Sequence, residues 1–125
     1  MIDFKNSSVF KLKAIETDEA REDFHKFMID GESIFAAFKS IRDQVVFTNK
    51  RIIAANVQGI TGSKVDYTSL PYSKIQAFSV ESSGTLDLDC EIEVYLSELG
   101  MAKFELKGSF DLIQFNKHIS QYVLA

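Results

Sequence analysis

The sequence contains little cysteine, proline or tryptophan. Among its 125 residues one is cysteine, one is proline and none is tryptophan. The single cysteine, Cys90, excludes a disulfide within the chain and is typical of a reducing compartment. Because Cys90 lies within an alternation of apolar residues, we expect a buried thiol at this position rather than a nucleophile.

Long apolar runs and a positive net charge are also missing. No apolar run approaches the roughly 18 residues of a membrane span. The first five residues lack the basic and apolar regions of a secretory signal, so we expect a cytoplasmic location. The formal net charge of −4 argues against nucleic acid as a partner, and against an anionic membrane held by bulk charge alone.

What the sequence does contain is enough apolar material for one folded domain. Hydrophobic residues make up 46% of the chain, and eleven residues are phenylalanine. A chain of this length can bury one core but not two independent ones. We therefore expect a single domain at residues 15–125. Residues 1–14 show no clear period and are interpreted as an N-terminal arm that docks on the body or on a neighbouring copy.

Hydrophobic periodicity separates two helices from a run of strands. The first helix is predicted from Thr17, a capping hydroxyl followed by acidic residues, to Gly31. A last helix follows Gly108 and Ser109, with apolar residues at helical spacing. Between them the period is two, which predicts seven strands: residues 33–40, 45–47, 50–57, 63–68, 72–81, 86–96 and 101–107.

This order of elements defines the fold class. A helix, seven strands and a helix contain no β-α-β alternation, so a parallel sheet is not expected. The pattern favours a mainly β fold, a bent antiparallel sheet or partly open barrel, with the last helix covering the open end.

Three segments carry a resemblance to a known family. They are residues 31–51 (GESIFAAFKSIRDQVVFTNKR), 58–62 (QGITG) and 70–92 (LPYSKIQAFSVESSGTLDLDCEI). Together they closely resemble the bacterial pleckstrin-homology-like (PH-like) family, long catalogued as a domain of unknown function. The resemblance implies seven antiparallel strands in two bent sheets with a C-terminal capping helix, to which this chain adds an N-terminal helix. It also implies homo-oligomeric rings, and it implies no established activity.

Charge is distributed unevenly along the chain. Residues 39–64 hold five basic residues and one acid, a net charge of +4, whereas residues 81–98 hold six acids and no base, a net charge of −6. Both segments are explained either as ordinary solvated strand faces or as the two sides of a head-to-tail contact between copies, which closes into rings. The candidate interface residues are Lys39, Arg42, Lys50, Arg51, Asp87, Asp89, Glu91 and Glu93.

The same basic segment suggests a site for a ligand. Arg42, Asn49, Lys50 and Arg51 form a candidate anion site, for which a structural turn clamp is the favoured alternative. A peripheral membrane contact through Lys39, Arg42, Lys50 and Arg51 is the second functional hypothesis, after self-assembly or binding of another protein. It is not favoured, because the loop at residues 40–43 lacks the run of basic residues used by lipid-binding members of the wider fold.

Catalysis, metals and cofactors find no support in the sequence. His25 and His118 are each isolated on a predicted helix, without a second ligand at i+3 or i+4. Residues 87–98 superficially resemble a calcium loop, but Ile92 stands where that loop needs glycine. We therefore predict a non-catalytic chain without cofactor or metal.

Overall fold

The fold is described from a computed structural model, which describes residues 1–5, 9–82, 89–108 and 110–125. Two α-helices, α1 (Glu22–Phe27) and α2 (Leu112–Val123), and two short 3₁₀ turns, Thr17–Glu19 and Tyr72–Lys74, lie within them. The strands are β1 (Val9–Ile15), β2 (Ile34–Lys39), β3 (Gln44–Thr48), β4 (Arg51–Gln58), β5 (Lys64–Pro71), β6 (Ile75–Ser82), β7 (Asp89–Leu96) and β8 (Gly100–Lys107).

All of these strands join one curled, open sheet in the order β5-β4-β3-β2-β1-β8-β7-β6. Each neighbouring pair is antiparallel except β1 and β8, which run parallel. The expected mainly β fold with a C-terminal helix is confirmed. Its details differ from the expectation, because β1 enters the centre of the sheet: there are eight strands rather than seven, and one mixed sheet rather than two antiparallel ones.

The N-terminal residues lie against the body of the same chain. Ile2 and Phe4 are buried in the main core, and the backbone N–H of Ile2 donates to Thr68 Oγ1 at 3.1 Å. Gly100 has φ +122°, and a Cβ built there would stand 2.6 Å from the carbonyl oxygen of Phe4. The first five residues therefore pack between the β5 edge and the β7–β8 turn. The boundary that we place after residue 14 stays a prediction.

The main core fills the concave face of the sheet beneath α2. Phe47 lies at its centre and packs edge to face on Phe38 and Phe115, with ring centroids 5.7 and 4.9 Å apart. The helix begins at Asp111, whose carboxylate accepts the N–H of Gln114 at 3.0 Å. Capping therefore falls at Asp111 rather than at Gly108 and Ser109, and Ser109 lies outside the described residues.

A smaller core covers part of the convex face. Ala20 and Phe24 pack on outward-facing residues of β2, β3 and β4, namely Ala37, Val46, Ile53 and Ala55. The helix predicted between Thr17 and Gly31 is shorter than expected, and it consists of a 3₁₀ turn followed by α1. It covers β2 to β5, where Phe24 and Phe27 pack edge to face on Tyr67, and Ile15 at the end of β1 joins the same cluster. The convex face of β8, β7 and β6 carries no helix of the described residues.

Candidate functional site

The convex face is basic along β1 and at the neighbouring end of β2, beside the helical segment. A groove of about 940 Å³ opens there, and the loop at residues 40–43 forms one of its walls. Six of its lining residues are basic and one, Asp43, is acidic. The basic residues are Lys11, Lys13, Arg21, Lys39, Arg42 and Lys107. We call this feature the basic groove.

Three of these lysines form a row across neighbouring strands. Lys107 of β8 pairs in register with Lys13 of β1, which pairs in turn with Lys39 of β2. All three side chains are exposed, and none makes an ion pair with another residue of the described chain. Like charges placed directly opposite each other destabilise a sheet. Because Lys107 is also in register with Asp89 of β7, the like-charge cost within the isolated chain falls mainly on Lys13 and Lys39.

The other side of the same face is acidic. Glu81 of β6, Glu91 of β7 and Glu105 of β8 are register neighbours and form a glutamate row. Lys103 of β8 stands beside this row, with its Nζ 3.2 Å from Glu91 and 3.8 Å from Glu93. The hydrogen bond to Glu91 raises the pKa of Lys103. Lys103 is thus the ion-pair partner of two carboxylates. Glu81 and Glu105 make no ion pair within the described residues.

Two fully exposed isoleucines flank the basic groove at the loop ends. Ile41 lies in the β2–β3 loop and Ile60 in the β4–β5 loop, and both are fully exposed. The two loops are in contact, because the Arg42 guanidinium donates to the carbonyl of Gly59. Asp43 braces the β2–β3 loop by accepting the N–H of Val57 at 2.9 Å. Apolar side chains and cations therefore project from the same end of the sheet.

The remaining residues of the predicted anion site lie at the opposite end of β3. This strand has five residues, which span roughly 17 Å, and it separates Arg42 from Asn49, Lys50 and Arg51. Asn49 closes the β3–β4 turn, with its Oδ1 accepting the N–H of Ser33 and its Nδ2 donating to the carbonyl of Gly31. The structure does not bring the four predicted residues together.

Arg51 is held within the chain by a buried carboxylate. Its Nε lies 2.9 Å from Glu32 Oε2 and its Nη2 3.0 Å from Glu32 Oε1, so the pair is bidentate. Thr48 Oγ1 donates to the same carboxylate at 2.7 Å. Burial raises the pKa of Glu32, but hydrogen bonds from Arg51, Thr48 and the Ile29 amide outweigh it, and the pKa lies below its usual value. Arg51 has a structural role here, as a clamp between β4 and the segment before β2.

The predicted interface residues divide between these regions. Lys39 and Arg42 lie in the basic groove, and Asp89, Glu91 and Glu93 face outward from β7. Asp87 lies outside the described residues. The sequence analysis missed Lys11, Lys13, Arg21 and Lys107, the other four basic residues of the groove. The alternation of residues 9–13, VFKLK, carried the signal for the first two.

The described residues show neither an activated thiol nor a cluster of metal ligands. Burial, with the neighbouring charges of Asp89 and Glu91, raises the pKa of Cys90 to about 11, so its thiol is protonated at neutral pH. Among the residues that the structure describes, no group of three or more His, Cys, Asp or Glu side chains is arranged to hold a metal ion. No helix in the described ranges is long and apolar enough to span a membrane.

Comparison with protein families identifies the class. The family model of the bacterial PH domain matches residues 3–123, and the chain belongs to this family. PH domains serve in interaction and binding, and they are typically non-catalytic.

Individual relatives agree with this assignment. The chain is 43% identical over 83 residues to the uncharacterized protein YjqA of Bacillus subtilis (strain 168), which is 66% of each chain. It is also similar to a solved DUF1696 family protein with a PH domain from Shewanella loihica PV-4, with 36% identity, a TM-score of 0.73, and coverage of 91% of this chain and 98% of that one. A PH domain from Shewanella amazonensis SB2B is 36% identical, with a TM-score of 0.61 and coverage of 89% and 90%.

Some relatives are longer than the region that matches. The chain matches about half the length of two further Bacillus subtilis relatives: 54% of YozO, through 50% of this chain, and 52% of YvbH, through 86% of this chain.

Proposed function

We propose that the chain is a non-catalytic assembly and interaction module whose copies associate head to tail and close into rings. In this assembly the basic groove of one copy contacts the acidic side of the next. The observation that carries the proposal is the uneven distribution of charge on the convex face, where outward-facing bases predominate on β1 and at the end of β2 and outward-facing acids predominate on β6 and β7.

Few of these charged side chains have an ion-pair partner within the described residues of one copy. Lys103 contacts Glu91 and Glu93, whereas the lysine row and two members of the glutamate row make no ion pair within the described residues. A second copy supplies the missing opposite charges, and complementary potentials select partner and register. A head-to-tail contact that closes gives a ring.

Apolar residues on the same face provide area for affinity. Ala77, Tyr95 and Met101 are register neighbours on β6, β7 and β8, and Tyr95 is 51% exposed. They lie along the strands from the acidic residues, so one contact covers both sets. Aromatic side chains are typical anchors of such interfaces.

Light scattering after gel filtration tests the proposal. The mass is measured at about 0.1 M and about 1 M salt, where the Debye length is roughly 10 Å and 3 Å. We expect a discrete multimer at low salt that loosens at high salt. A monomer under both conditions contradicts self-assembly through charge.

A second candidate function is peripheral binding to an anionic membrane. It is favoured by the exposed Ile41 and Ile60 beside the basic groove, since basic residues attract an anionic surface and apolar side chains enter its interface. Display of several copies on one assembly strengthens weak single contacts. Here Lys39 and Arg42 act with Lys11, Lys13 and Lys107 rather than with Lys50 and Arg51.

Sedimentation with vesicles separates this candidate from the first. Phosphatidylcholine vesicles with phosphatidylserine are compared with vesicles without it, using the wild type, Ile41→Ser and the control Ile113→Ser. Ile113 is 56% exposed on α2. Binding that needs phosphatidylserine, weakens at high salt and is reduced only by Ile41→Ser supports the membrane function. Absence of binding at low salt dismisses it.

A further inference from the structure

The two edge strands of the open sheet differ in how they are protected from other strands. β5 forms one edge and β6 the other. The β5 edge begins at Lys64 and ends at Pro71, and part of it lies against the N-terminal residues, where Ile2 donates to Thr68. Lysine, proline and a covering segment are the means by which natural sheets keep further strands from pairing with an edge.

The β6 edge lacks lysine and proline. The strand has eight residues, longer than the usual length of about five to six. Beyond a register shift near Gln76, residues 77–82 pair regularly with β7, and Glu81 is their one charge. No backbone hydrogen bond joins residues 77–82 to any described element other than β7. Alternate backbone N–H and C=O groups therefore point outward along this edge without a partner in the described chain.

We infer that the β6 edge binds an extended segment of a different protein, which joins the sheet as an added strand. The main chain of this segment donates to and accepts from the outward-pointing backbone groups of residues 77–82. Addition of a strand to an exposed sheet edge is a recurring mode of peptide recognition, in which the main chain supplies affinity and alternate side chains supply specificity. The inference goes beyond the proposed head-to-tail contact and does not depend on it.

The side chains of β6 define the chemistry of the bound segment. Phe78 and Val80 point to the concave face and are only partly buried against the main core. Ser79 and Glu81 are exposed and point to the convex face, where Glu81 ends the glutamate row. A strand beside β6 places its alternate side chains next to these two sets. The segment that fits therefore alternates apolar residues, which cover Phe78 and Val80, with lysine or arginine, which pairs with Glu81.

A second copy of this chain fits the β6 edge poorly. Pairing of two β6 strands places two glutamate rows side by side in one sheet, with like charges and no cation at the junction. Pairing of β6 with the β5 edge of another copy meets Pro71, which has no backbone N–H to donate, and the N-terminal residues that lie against Thr68. Charge and edge protection thus favour a basic segment of another protein.

Fluorescence anisotropy with a synthetic peptide tests the inference. The probe is a fluorescein-labelled octapeptide of alternating valine and lysine. We expect it to bind the wild-type chain saturably, and Glu81→Lys to weaken binding by at least about 10-fold, because like charges then face each other across the added strand. Glu98→Lys is the matched control, since Glu98 is exposed in the β7–β8 turn, away from residues 77–82, and this variant should bind like the wild type. Circular dichroism confirms that both variants are folded.

Two N-methylated forms of the peptide distinguish strand addition from attraction between charges. One form carries methyl groups on the amide nitrogens of its valines, and the other on those of its lysines. Only alternate amides of an added strand face the sheet, and a slip by one residue exchanges its apolar and basic faces. We therefore expect one form to bind at least about 10-fold more weakly and the other to bind like the unmodified peptide.

Three results would overturn the inference. They are absence of binding by the unmodified peptide, equal affinity of the two methylated forms, and equal binding by wild type and Glu81→Lys. Light scattering with saturating peptide decides between a different protein and a second copy: the multimer should keep its subunit number, and dissociation by the peptide would assign the edge to contacts between copies instead. None of these results changes the salt dependence of the mass without peptide, which tests the proposed function separately.

Discussion

Arg42 and Arg51 lie at opposite ends of β3 and illustrate two uses of a basic residue. Arg51 is bound to Glu32 by two hydrogen bonds and donates also to Ser69 and to the carbonyl of Phe27. Within the described residues Arg42 makes one hydrogen bond, to the carbonyl of Gly59, and its charged neighbours in the groove are mostly basic. Arg51 thus forms an ion pair within the chain, whereas Arg42 at the other end of β3 lies on an exposed surface.

The difference follows from what surrounds each arginine. Glu32 has a fully buried side chain, and a buried carboxylate needs a paired cation because the cost of removing its charge from water is large. Among the described residues that line the basic groove, the one acid, Asp43, is partly exposed and accepts the N–H of Val57. A basic residue therefore indicates a binding site only where it does not already form an ion pair with a buried acid of the same chain.

Replacement of Arg51 should remove the ion pair with Glu32 and destabilise the fold. Arg51→Met leaves Glu32 buried and unpaired, and we expect a loss of roughly 3–5 kcal/mol in the free energy of unfolding. Urea denaturation measures the loss. Lys50→Met is the matched control, because the exposed neighbouring Lys50 makes no ion pair within the described residues, and it should change stability by no more than about 0.5 kcal/mol.

A double variant shows whether the cost comes from the stranded charge. Glu32→Gln combined with Arg51→Met removes both charges, so part of the lost stability should return. If Arg51→Met alone is no more destabilising than Lys50→Met, the clamp assigned to Arg51 is wrong.

Acid should weaken the same end of the molecule. The pKa of Glu32 in the folded chain lies below its ordinary value of 4.5, so the unfolded chain binds the proton more readily. The stability from this group is present above about pH 4.5 and is lost as the pH falls through the folded pKa. We expect Glu32→Gln to reduce stability at pH 7 and to flatten the loss below pH 4.5, as measured by urea denaturation at a series of pH values. An equally steep acid loss in this variant would assign the pH dependence to other carboxylates.

Local patterns in the sequence predicted much of the fold. The alternation around Cys90 placed that thiol in the core, where it is buried, and the spacing of Leu112, Phe115 and Ile119 predicted the buried face of α2. β1 was missed although residues 9–13 alternate. The pattern of a single short strand does not predict which strand it pairs with, and the partner here is nearly 100 residues away. Its pairing with β8 is parallel and long-range, so the eighth strand is a tertiary property.

The candidate site was less accessible to sequence reasoning for the same reason. Lys39 and Arg42 are close in sequence and also in the groove, whereas Lys13 and Lys107 meet only because β1 and β8 are neighbours. Conversely, Arg51 looked available because Glu32 is 19 positions away and its burial depends on the fold. Net charge by segment found the acidic strand but could not distinguish a paired cation from an unpaired one.

The smallest expected effect concerns two lysines on one strand. Lys13 lies between Lys39 and Lys107 in register, whereas Lys11 lies beside Glu105. Lys13→Gln removes like-charge repulsion and should raise the free energy of unfolding by about a few tenths of a kcal/mol, whereas Lys11→Gln should leave it unchanged or lower it. Urea denaturation at low salt and at protein concentrations where the chain is monomeric measures both, and high salt should shrink the difference because exposed charges are screened. Equal effects of the two substitutions would mean that the lysine row carries no cost in the isolated chain, and the contrast between the outward-facing end and the internally paired end would then rest on Arg51 alone.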